Sequence, residues 1–461
     1  MKNTKNKKNE KSVQNTKNVQ NTKNAGTGSA GARRMLVISL DAVGGADMEY
    51  MKQLPNFGRF LKDASVCTNV ESVYPSITYP AHTTIITGRM PNKHGIINNT
   101  KVQPGLASPD WYWQRKYIKG TTLYDEAIKS GMKVAALLWP VTAKSDIQYN
   151  MPEIFANRPW SNQIITSLIN GTPAYQAVLN QKFGHLRDGK RQPELDNFVQ
   201  QSLLYTLQHY RPDLTLVHFT DVDTHRHLYG VHAPEIKEAL ERHDARLGQI
   251  MFALEKLNMD KDTDVIILGD HYQKDVSKIV YPNHFLKEKG LLEVEGQEVI
   301  AWKAICKNCD GSAYIYVKNG YGHLQETLYR MFDKLKENPE SGIANVFTRQ
   351  EAIARGADPR CSLMLEAKDG YFFLDEWRTF SENVIADERQ IEKEHAMKAV
   401  HGYLPEGEDY STFFMAKGPG IAKNVSVDKM HLADEGVTMA ALLGLDLGAD
   451  VDGHVITEIL E

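Results

Sequence analysis

Apolar runs alternate with amphipathic segments along the chain from residue 34 onward. The runs MLVISL at 35–40, LTLVHF at 214–219 and VIIL at 265–268 are almost entirely apolar, which is typical of strands covered on both faces. Residues 195–210 and 234–257 instead repeat apolar positions with the period of a helix. This alternation predicts an α/β protein with a doubly wound, mostly parallel sheet sandwiched by helices.

Residues ~283–400 show a different pattern. Shorter strand-like stretches, SAYIYV at 312–317 and YFFL at 371–374, flank a predicted helix in LQETLYRMFDKLKE at 324–337. We therefore predict that much of this stretch is an inserted α+β subdomain within one large domain of residues 34–461.

Residues 1–33 have the composition of a tail. The hexapeptide VQNTKN occurs twice in tandem at 13–24, and AGTGSAGA follows it. Asn, Lys, Gly and Ser bury too little apolar surface to offset the entropy lost on ordering, so we predict a disordered, basic, low-complexity segment. Its lysines could contact an acidic surface, although a solvated tail is the simpler interpretation.

Composition excludes several classes of protein. A net charge of −4 over 461 residues gives no nucleic-acid-binding signature. The apolar runs are shorter than the ~20 residues that a transmembrane helix needs, and the N-terminal stretch lacks the apolar core of a signal peptide. Four cysteines do not form a disulfide scaffold, and the lone pair Cys306 and Cys309 reads as reduced thiols. We therefore expect a soluble, cytoplasmic protein.

Polar side chains follow three of the predicted strands where each strand ends. Asp41 follows the first run, and Asp270 and His271 follow the run at 265–268. The stretch DVDTHRH, after the run at 214–219, adds Asp221, Asp223, His225 and His227. His401 precedes a late predicted strand. Because open α/β sheets place ligands outside the carboxyl ends of their strands, these groups predict a metal site.

The candidate ligands are imidazoles and carboxylates, which suit zinc or manganese better than magnesium. Their number suffices for two ions, an arrangement that can clamp a phosphoryl group during displacement. Thr78, in YPSITYP, then becomes a candidate nucleophile, since a metal-bound hydroxyl loses its proton near neutral pH. Pro80 predicts a helix start beside Thr78 and the N–H of Tyr79, where anions bind. In isolation, Thr78 would be interpreted as a helix cap.

Several segments, in this order, resemble those of the nucleotide pyrophosphatase/phosphodiesterases (type I phosphodiesterases) of the alkaline phosphatase superfamily. The segments are LVISLDAVGG, YPSITYPAHTTIITGRMPNKHGIINN, DTHRHLYG, LGDH and HGYLPEGEDYSTFFMAKGPGI. The resemblance is weakest across 100–200 and 280–400. It implies an alkaline phosphatase-like catalytic domain over 34–461.

The resemblance also implies a set of ligands. One zinc would be held by Asp41, Thr78, Asp270 and His271, and a second by Asp223, His227 and His401, with manganese as the alternative metal. Asn99 and the backbone N–H of Tyr79 would donate hydrogen bonds to the phosphoryl oxygen. Asp221 and His225 have the same i, i+4 spacing as Asp223 and His227, and the following LYG favours the latter pair.

Two positions depart from the family pattern. Tyr272 replaces the glycine of the usual DHG and places a bulky ring near the site. His218 occupies a position where the family often has a tyrosine that stacks on a nucleobase. An imidazole can also stack, with a smaller contact, so we assign His218 to substrate binding.

Together these features predict a two-zinc hydrolase that cleaves phosphodiester or pyrophosphate bonds through a phosphothreonine intermediate. The expected substrate is a small phosphorylated molecule, with nucleotides as the expected class. A phosphonoacetate-type hydrolase and a phosphomonoesterase are the alternative enzymes. A metal-binding protein without turnover is the alternative from another class, and the complete set of ligand positions argues against it. The sequence leaves the oligomeric state open.

Overall fold

The computed structural model describes residues 34–106, 108–296, 298–384 and 394–461. The tail predicted at 1–33 lies outside the described residues. Within these ranges the strands are β1 Arg34–Leu40, β2 Ser65–Glu71, β3 Val134–Leu137, β4 Tyr149–Met151, β5 Leu214–Phe219, β6 Thr263–Leu268, β7 Lys274–Val280, β8 Leu292–Glu295, β9 Glu298–Trp302, β10 Ala304–Cys309, β11 Ser312–Val317, β12 Ile343–Thr348, β13 Leu363–Ala367, β14 Gly370–Phe373, β15 Ser381–Asn383, β16 Ala399–Val400, β17 Thr412–Lys417 and β18 Met430–His431.

Helices connect most of these strands. Over the same ranges they are α1 Met48–Met51, α2 Pro55–Leu61, α3 Thr78–Thr87, α4 Pro91–His94, α5 Leu123–Lys129, α6 Gln163–Asn170, α7 Pro173–Phe183, α8 Glu194–His209, α9 Asp221–Tyr229, α10 Pro234–Lys256, α11 Pro282–Glu288, α12 Gln325–Leu335, α13 Arg349–Ala354 and α14 Leu432–Leu443. In the part of the chain that the structure describes, no helix combines the length and the apolar character needed to span a bilayer.

The largest sheet of the described residues has eight strands in the order β18-β2-β17-β6-β1-β5-β3-β4. Strand β1 pairs in parallel with β5 on one side and with β6 on the other. The exception in direction is β17, which is antiparallel to both β2 and β6. The prediction of a mostly parallel sheet is therefore confirmed.

Both faces of this sheet are buried, as the apolar runs predict. Along β1, Met35 and Val37 belong to one apolar cluster, whereas Leu36, Ile38 and Leu40 belong to the other. Successive side chains of a strand point to opposite faces, so the two clusters lie on the two sides of the sheet. Helices α3, α5 and α14 supply buried residues to the first cluster, and α2, α8 and α10 to the second.

Residues 283–400 contribute mainly to smaller sheets. Strands β10-β11-β13-β12 form an antiparallel sheet in the described part of this stretch, and β14 and β15 pair with β7. These sheets are separate from the eight-stranded one, and the division into a domain and an insertion stays a prediction. Cys306 and Cys309 lie buried in β10, where burial raises the pKa of both thiols.

Helix α14 contains a buried carboxyl group without a partner. Glu435 is fully buried, and neither of its side-chain oxygens has a hydrogen-bond partner among the described residues. Burial, with smaller contributions from Asp434 and Asp270, raises its pKa well above the ordinary value. The folded state therefore holds this proton more tightly than the unfolded chain does.

Glu435→Gln is expected to stabilise the protein at neutral and alkaline pH. A carboxyl whose folded pKa is raised stabilises the fold below its unfolded pKa of about 4.5 and loses that contribution as pH rises toward the folded value. The neutral amide avoids this loss, so the free energy of unfolding should exceed that of wild type at pH 8, with a smaller difference at pH 5. Chemical denaturation at both pH values measures it. The exposed Glu458→Gln is the control, and an equal gain at both pH values would contradict the assignment.

Candidate active site

Three neighbouring strands bring the predicted carboxylates together. In the order β6-β1-β5, Asp270 lies two residues beyond β6, Asp41 lies directly after β1, and Asp223 lies in the first turn of α9, which begins after β5. The strands are parallel, so their carboxyl ends share one edge of the sheet. The strand-end arrangement that the sequence predicts therefore exists in the fold.

Thr78 is the first residue of helix α3, where the sequence predicts a helix start. The N-cap is Ile77, in an extended conformation, so Thr78 does not cap the helix with its side chain. Every residue of α3 is buried. Two hydrogen bonds fix the preceding loop. The Ser72 hydroxyl donates to the Asp270 carbonyl oxygen at 2.6 Å, and the Ser76 hydroxyl donates to the Tyr403 carbonyl oxygen at 2.7 Å.

The sheet that contains β7 supplies the last predicted ligand. Strand β7 begins three residues after His271, and β16, which ends just before His401, pairs with its first residues. This pairing places the rings of His271 and His401 4.4 Å apart between centroids, and those of His227 and His401 5.1 Å apart.

The structure collects five of the seven predicted ligands into two overlapping groups, and the other two, Asp270 and Thr78, lie beside His271. Ligand atoms of Asp223, His227 and His401 lie within 4.8 Å of one another, and so do those of Asp41, Asp223 and His271. His271 Nε2 lies 3.2 Å from Asp270 Oδ2, 3.4 Å from Asp41 Oδ1 and 3.1 Å from Thr78 Oγ1. Asp223 belongs to both groups, whereas the resemblance implies that it holds one ion.

Burial disfavours charge on several of these side chains. Burial, with the charge of Asp223, raises the pKa of Asp41 to about 7, and burial with the charge of Asp41 raises that of Asp270 well above its ordinary range. Burial and the neighbouring His401 imidazole lower the pKa of His271 well below its usual value, and burial with His227 lowers that of His401 to about 3. Ionised carboxylates and neutral imidazoles are the forms that bind metals, and a divalent cation would favour both.

The donor set fits divalent cations. Asp41 Oδ1 and Asp270 Oδ2 are buried without a hydrogen-bond partner among the described residues, and they lie 3.4 and 3.2 Å from His271 Nε2. Leaving buried polar atoms unsatisfied is costly unless another partner, such as a cation, binds them. Carboxylate oxygens and imidazole nitrogens are ligands that zinc accepts.

Neighbouring groups orient these side chains. Gln273 Nε2 donates to Asp223 Oδ1 at 2.6 Å, and His227 Nδ1 lies 2.8 Å from the carbonyl oxygen of Ala399. His82 Nδ1 lies 2.9 Å from the carbonyl oxygen of Thr78, at the start of α3. Such outer partners fix the direction in which a ligand atom points.

Asn99 and Tyr79 are bonded to each other. The backbone N–H of Tyr79 donates to Asn99 Oδ1 at 2.9 Å, and both residues line the same cavity as Thr78. The resemblance implies that both groups donate to a phosphoryl oxygen. In the structure the N–H of Tyr79 instead holds the Asn99 side chain, which leaves the amide Nδ2 of Asn99 as the donor for a ligand.

His218 does not lie where a stacking residue would. Its side chain is fully buried, and Nε2 lies 3.1 Å from Asp41 Oδ2. It is also absent from the residues that line the cavity in the described part of the chain. The predicted contact with a nucleobase is therefore corrected, because β5 directs this ring behind Asp41.

Asp221 and His225, the alternative ligand pair on α9, have different surroundings from Asp223 and His227. Asp221 is fully buried and accepts hydrogen bonds from Arg242 and Arg246 at 2.8 and 2.9 Å, and its Oδ1 lies 3.1 Å from His225 Nδ1. Burial alone would raise its pKa, but the hydrogen bond from Arg242 helps to hold that pKa well below its usual range. Neither Asp221 nor His225 belongs to the two ligand groups.

Tyr272 is absent from the residues that line the cavity in the described part of the chain. It is 4% exposed and packs against the guanidinium of Arg226 at 4.3 Å from the ring centroid. A Cβ atom at Gly44 would lie 2.3 Å from this ring, so the glycine makes room for it. Tyr272 directly follows His271, and its ring fills a space beside Gly44.

Tyr272→Gly, which restores the family residue, is expected to destabilise the fold with little effect on activity. Removal of a large buried aromatic side chain leaves a cavity and costs about 3–5 kcal/mol. Thermal unfolding should show a lower Tm, while kcat/KM for a phosphodiester, measured well below that Tm, should stay within a few-fold of wild type. Tyr272→Phe, which keeps the ring, is the control. A large fall in kcat/KM with Tm unchanged would place the ring in the site after all.

A cavity of about 1780 Å³ opens over Thr78. Its wall includes Asp41, Asp223, His227 and His401, and also the aromatic rings of Trp111 and Phe155, 4.8 Å apart between centroids. Ligand pockets are typically about 300–1,000 Å³, so the space accommodates a substrate of nucleotide size.

The sequence did not point to two carboxylates beside the ligands. Asp310 Oδ2 lies 3.1 Å from His401 Nδ1, and Glu153 Oε2 lies 3.5 Å from His218 Nδ1. Both residues line the cavity. They fall in 100–200 and 280–400, where the resemblance is weakest. The sequence offers a signal for one of them. Asp310 is an acidic residue directly after Cys309, the last residue of β10.

Proteins with similar sequences include a pyrophosphatase/phosphodiesterase and a venom phosphodiesterase. The human ectonucleotide pyrophosphatase/phosphodiesterase family member 1 is 26% identical over 270 residues, which are 54% of this chain and 25% of the human protein. Venom phosphodiesterase 2 of Crotalus adamanteus is 24% identical over 276 residues, which are 57% of this chain and 30% of the venom enzyme. The chain thus spans less than a third of the length of either relative.

Solved structures resemble the fold. Murine ectonucleotide pyrophosphatase/phosphodiesterase 5, described as an inactive variant in complex with AMP, superposes with a TM-score of 0.64 at 17% identity and covers 93% of this chain and 100% of its own. Residues 35–404 match the family described as type I phosphodiesterase / nucleotide pyrophosphatase. The family that the sequence motifs indicate is thereby confirmed, and this chain belongs to the type I phosphodiesterase/nucleotide pyrophosphatase family.

Proposed function

We propose that this chain hydrolyses phosphodiester or pyrophosphate bonds through a covalent phosphothreonine intermediate on Thr78. The observation that supports the proposal is the position of the Thr78 hydroxyl relative to its neighbours. Thr78 Oγ1 lies at the start of a buried helix, 3.1 Å from His271 Nε2, and faces the cavity above two groups of metal-type ligands. A threonine placed only for packing has no need of these neighbours.

Thr78, helix α3 and Asn99 have separate roles in the proposed reaction. Thr78 Oγ1 loses its proton to solvent and forms the new bond to phosphorus as the bond to the leaving-group oxygen breaks, and the leaving group takes up a proton from solvent. Water then attacks phosphorus, the P–Oγ1 bond breaks, and Thr78 regains its proton. The N-terminus of α3 favours negative charge at that position. Asn99, oriented by Tyr79, donates its amide to the phosphoryl oxygen on which charge develops.

Two divalent cations fit the ligand groups. The residues that would hold them are Asp41, Thr78, Asp270 and His271 for one, and Asp223, His227 and His401 for the other. When bound, such ions neutralise phosphoryl oxygens and lower the pKa of a hydroxyl ligand. The mixture of nitrogen and oxygen ligands favours zinc, with manganese as the alternative.

Nucleotides are the substrate class that we propose. The cavity is large enough for a nucleotide and contains the Trp111 and Phe155 rings, on which a base could stack. The murine relative of similar fold is described in complex with AMP. The released product would then be a nucleoside monophosphate.

A panel of substrates tests the proposal. Zinc-loaded protein is assayed with the p-nitrophenyl ester of thymidine 5′-monophosphate, bis-p-nitrophenyl phosphate, p-nitrophenyl phosphate and phosphonoacetate, and bound metal is measured in parallel. We expect the nucleotide ester to have the highest kcat/KM, at least about tenfold above the monoester. Preference for the monoester would indicate a phosphomonoesterase, and turnover of phosphonoacetate a phosphonate hydrolase. Bound metal without any turnover would overturn the enzymatic proposal.

A further inference from the structure

His218 is enclosed by hydrogen-bond acceptors on both sides of its ring. It lies in β5, next to Ser39 of β1 in the strand register, and is fully buried. Nε2 lies 3.1 Å from Asp41 Oδ2. On the other side, Nδ1 lies 3.3 Å from the carbonyl oxygen of Leu138 and 3.5 Å from Glu153 Oε2.

The two oxygens of Asp41 therefore have different neighbours. Oδ2 faces His218, whereas Oδ1 lies 3.4 Å from His271 Nε2, inside the ligand group. Because the fully buried His218 ring lies against Oδ2, rotation of the carboxylate about its terminal bond would break this contact, so the ring restricts the direction in which Oδ1 points.

Glu153 extends this contact toward the cavity. Its Oε1 accepts a hydrogen bond from the hydroxyl of Tyr79 at 3.3 Å, and its Oε2 faces His218. The side chain lines the cavity. A continuous series of polar contacts thus joins Tyr79, which follows Thr78, to Asp41.

We propose that His218 is a positioning residue for Asp41 and that Glu153 in turn holds His218, so that this pair sets the affinity of the Asp41 group for its metal. The inference rests on the proposed function in two respects: that the ligand groups bind a metal, and that the bound protein catalyses the reaction that is assayed. In metalloproteins, loss of a partner that orients a ligand typically weakens metal binding 10–100-fold. The role differs from contact with the substrate, which the buried position of His218 excludes.

The test compares two replacements of His218 in the full-length protein. His218→Gln keeps an N–H donor near the position of Nε2, and His218→Leu keeps the volume without a donor. Zinc affinity is measured by competition with a chromophoric chelator, which requires no turnover. We expect about 10–100-fold weaker binding at one of two sites for His218→Leu, and a loss of less than about fivefold for His218→Gln. His243→Leu removes another buried histidine, on α10 and outside both ligand groups, and should leave zinc affinity unchanged.

Kinetics separate positioning from substrate contact. At saturating zinc, His218→Leu should lower kcat for the nucleotide ester and leave KM within about twofold. Glu153→Gln should shift zinc affinity in the same direction by a smaller factor, and CD spectra should show that all variants fold. Unchanged zinc affinity in His218→Leu, or equal losses in the Leu and Gln variants, would overturn the inference. A raised KM with normal zinc affinity would also overturn it. If no substrate is turned over, the zinc measurements still decide the inference, whereas the proposed function fails separately.

Discussion

Thr78→Ala is expected to lower kcat for a phosphodiester by about 10³-fold or more, because removal of a covalent nucleophile abolishes the step that it performs. Asp41, Asp270 and His271, the side chains proposed to hold the same ion as Thr78, are unaffected, so the variant should retain bound metal. Steady-state kinetics and metal analysis on the same preparation measure both quantities. Thr78→Ser keeps a hydroxyl and should retain far more activity than the alanine variant.

Helix α3 offers a matched control for this experiment. Thr83 is fully buried on the same helix, and its hydroxyl has no hydrogen-bond partner in the described structure. Thr83→Val should leave kcat close to wild type, so a loss specific to position 78 reflects chemistry and not helix packing. Acid quenching of wild-type turnover with the nucleotide ester, followed by mass spectrometry, should find the nucleoside monophosphoryl group of the substrate on Thr78. Undiminished activity in Thr78→Ala would remove Thr78 from the mechanism.

The strand-end part of the site could be predicted because it depends on topology alone. Asp41, Asp223 and Asp270 follow strands whose apolar character is visible in the sequence, and neighbouring parallel strands must end at the same edge. His401 is different, since its placement depends on the pairing of β16 with β7. The family motif located this residue, and the hydrophobic pattern alone would not have done so.

The orientation of side chains could not be predicted in the same way. The register of β1 and β5 places His218 beside Ser39, two residues before Asp41. A single hydrophobic run does not determine the register of the strand that it forms. The space that the Tyr272 ring fills could not be predicted for a similar reason, because it exists only where Gly44 of another loop approaches. Glu153 lies outside every recognisable motif and reaches His218 only through the tertiary fold.

The second large effect is expected at Asp223, which belongs to both ligand groups. Asp223→Asn keeps the size of the side chain and removes its charge, so both groups lose an anionic ligand. We expect bound metal to fall below two ions per chain after dialysis and kcat/KM to fall by about 10³-fold or more, since charge stabilisation by metal supplies several kcal/mol in such reactions. Metal analysis and kinetics at controlled zinc concentration measure the two effects.

Asp221→Asn is the matched comparison, because it makes the same chemical change two residues earlier on α9. Asp221 pairs with Arg242 and Arg246, and loss of its charge leaves these cations without their buried partner. The expected result is the reverse of that for Asp223: a free energy of unfolding lower by about 3 kcal/mol, with bound metal retained and kcat/KM within several-fold of wild type. The two variants therefore separate stability from chemistry on one helical turn. If Asp221→Asn lost metal and activity while Asp223→Asn kept both, the ligands would be Asp221 and His225, and the site would have to be rebuilt around them.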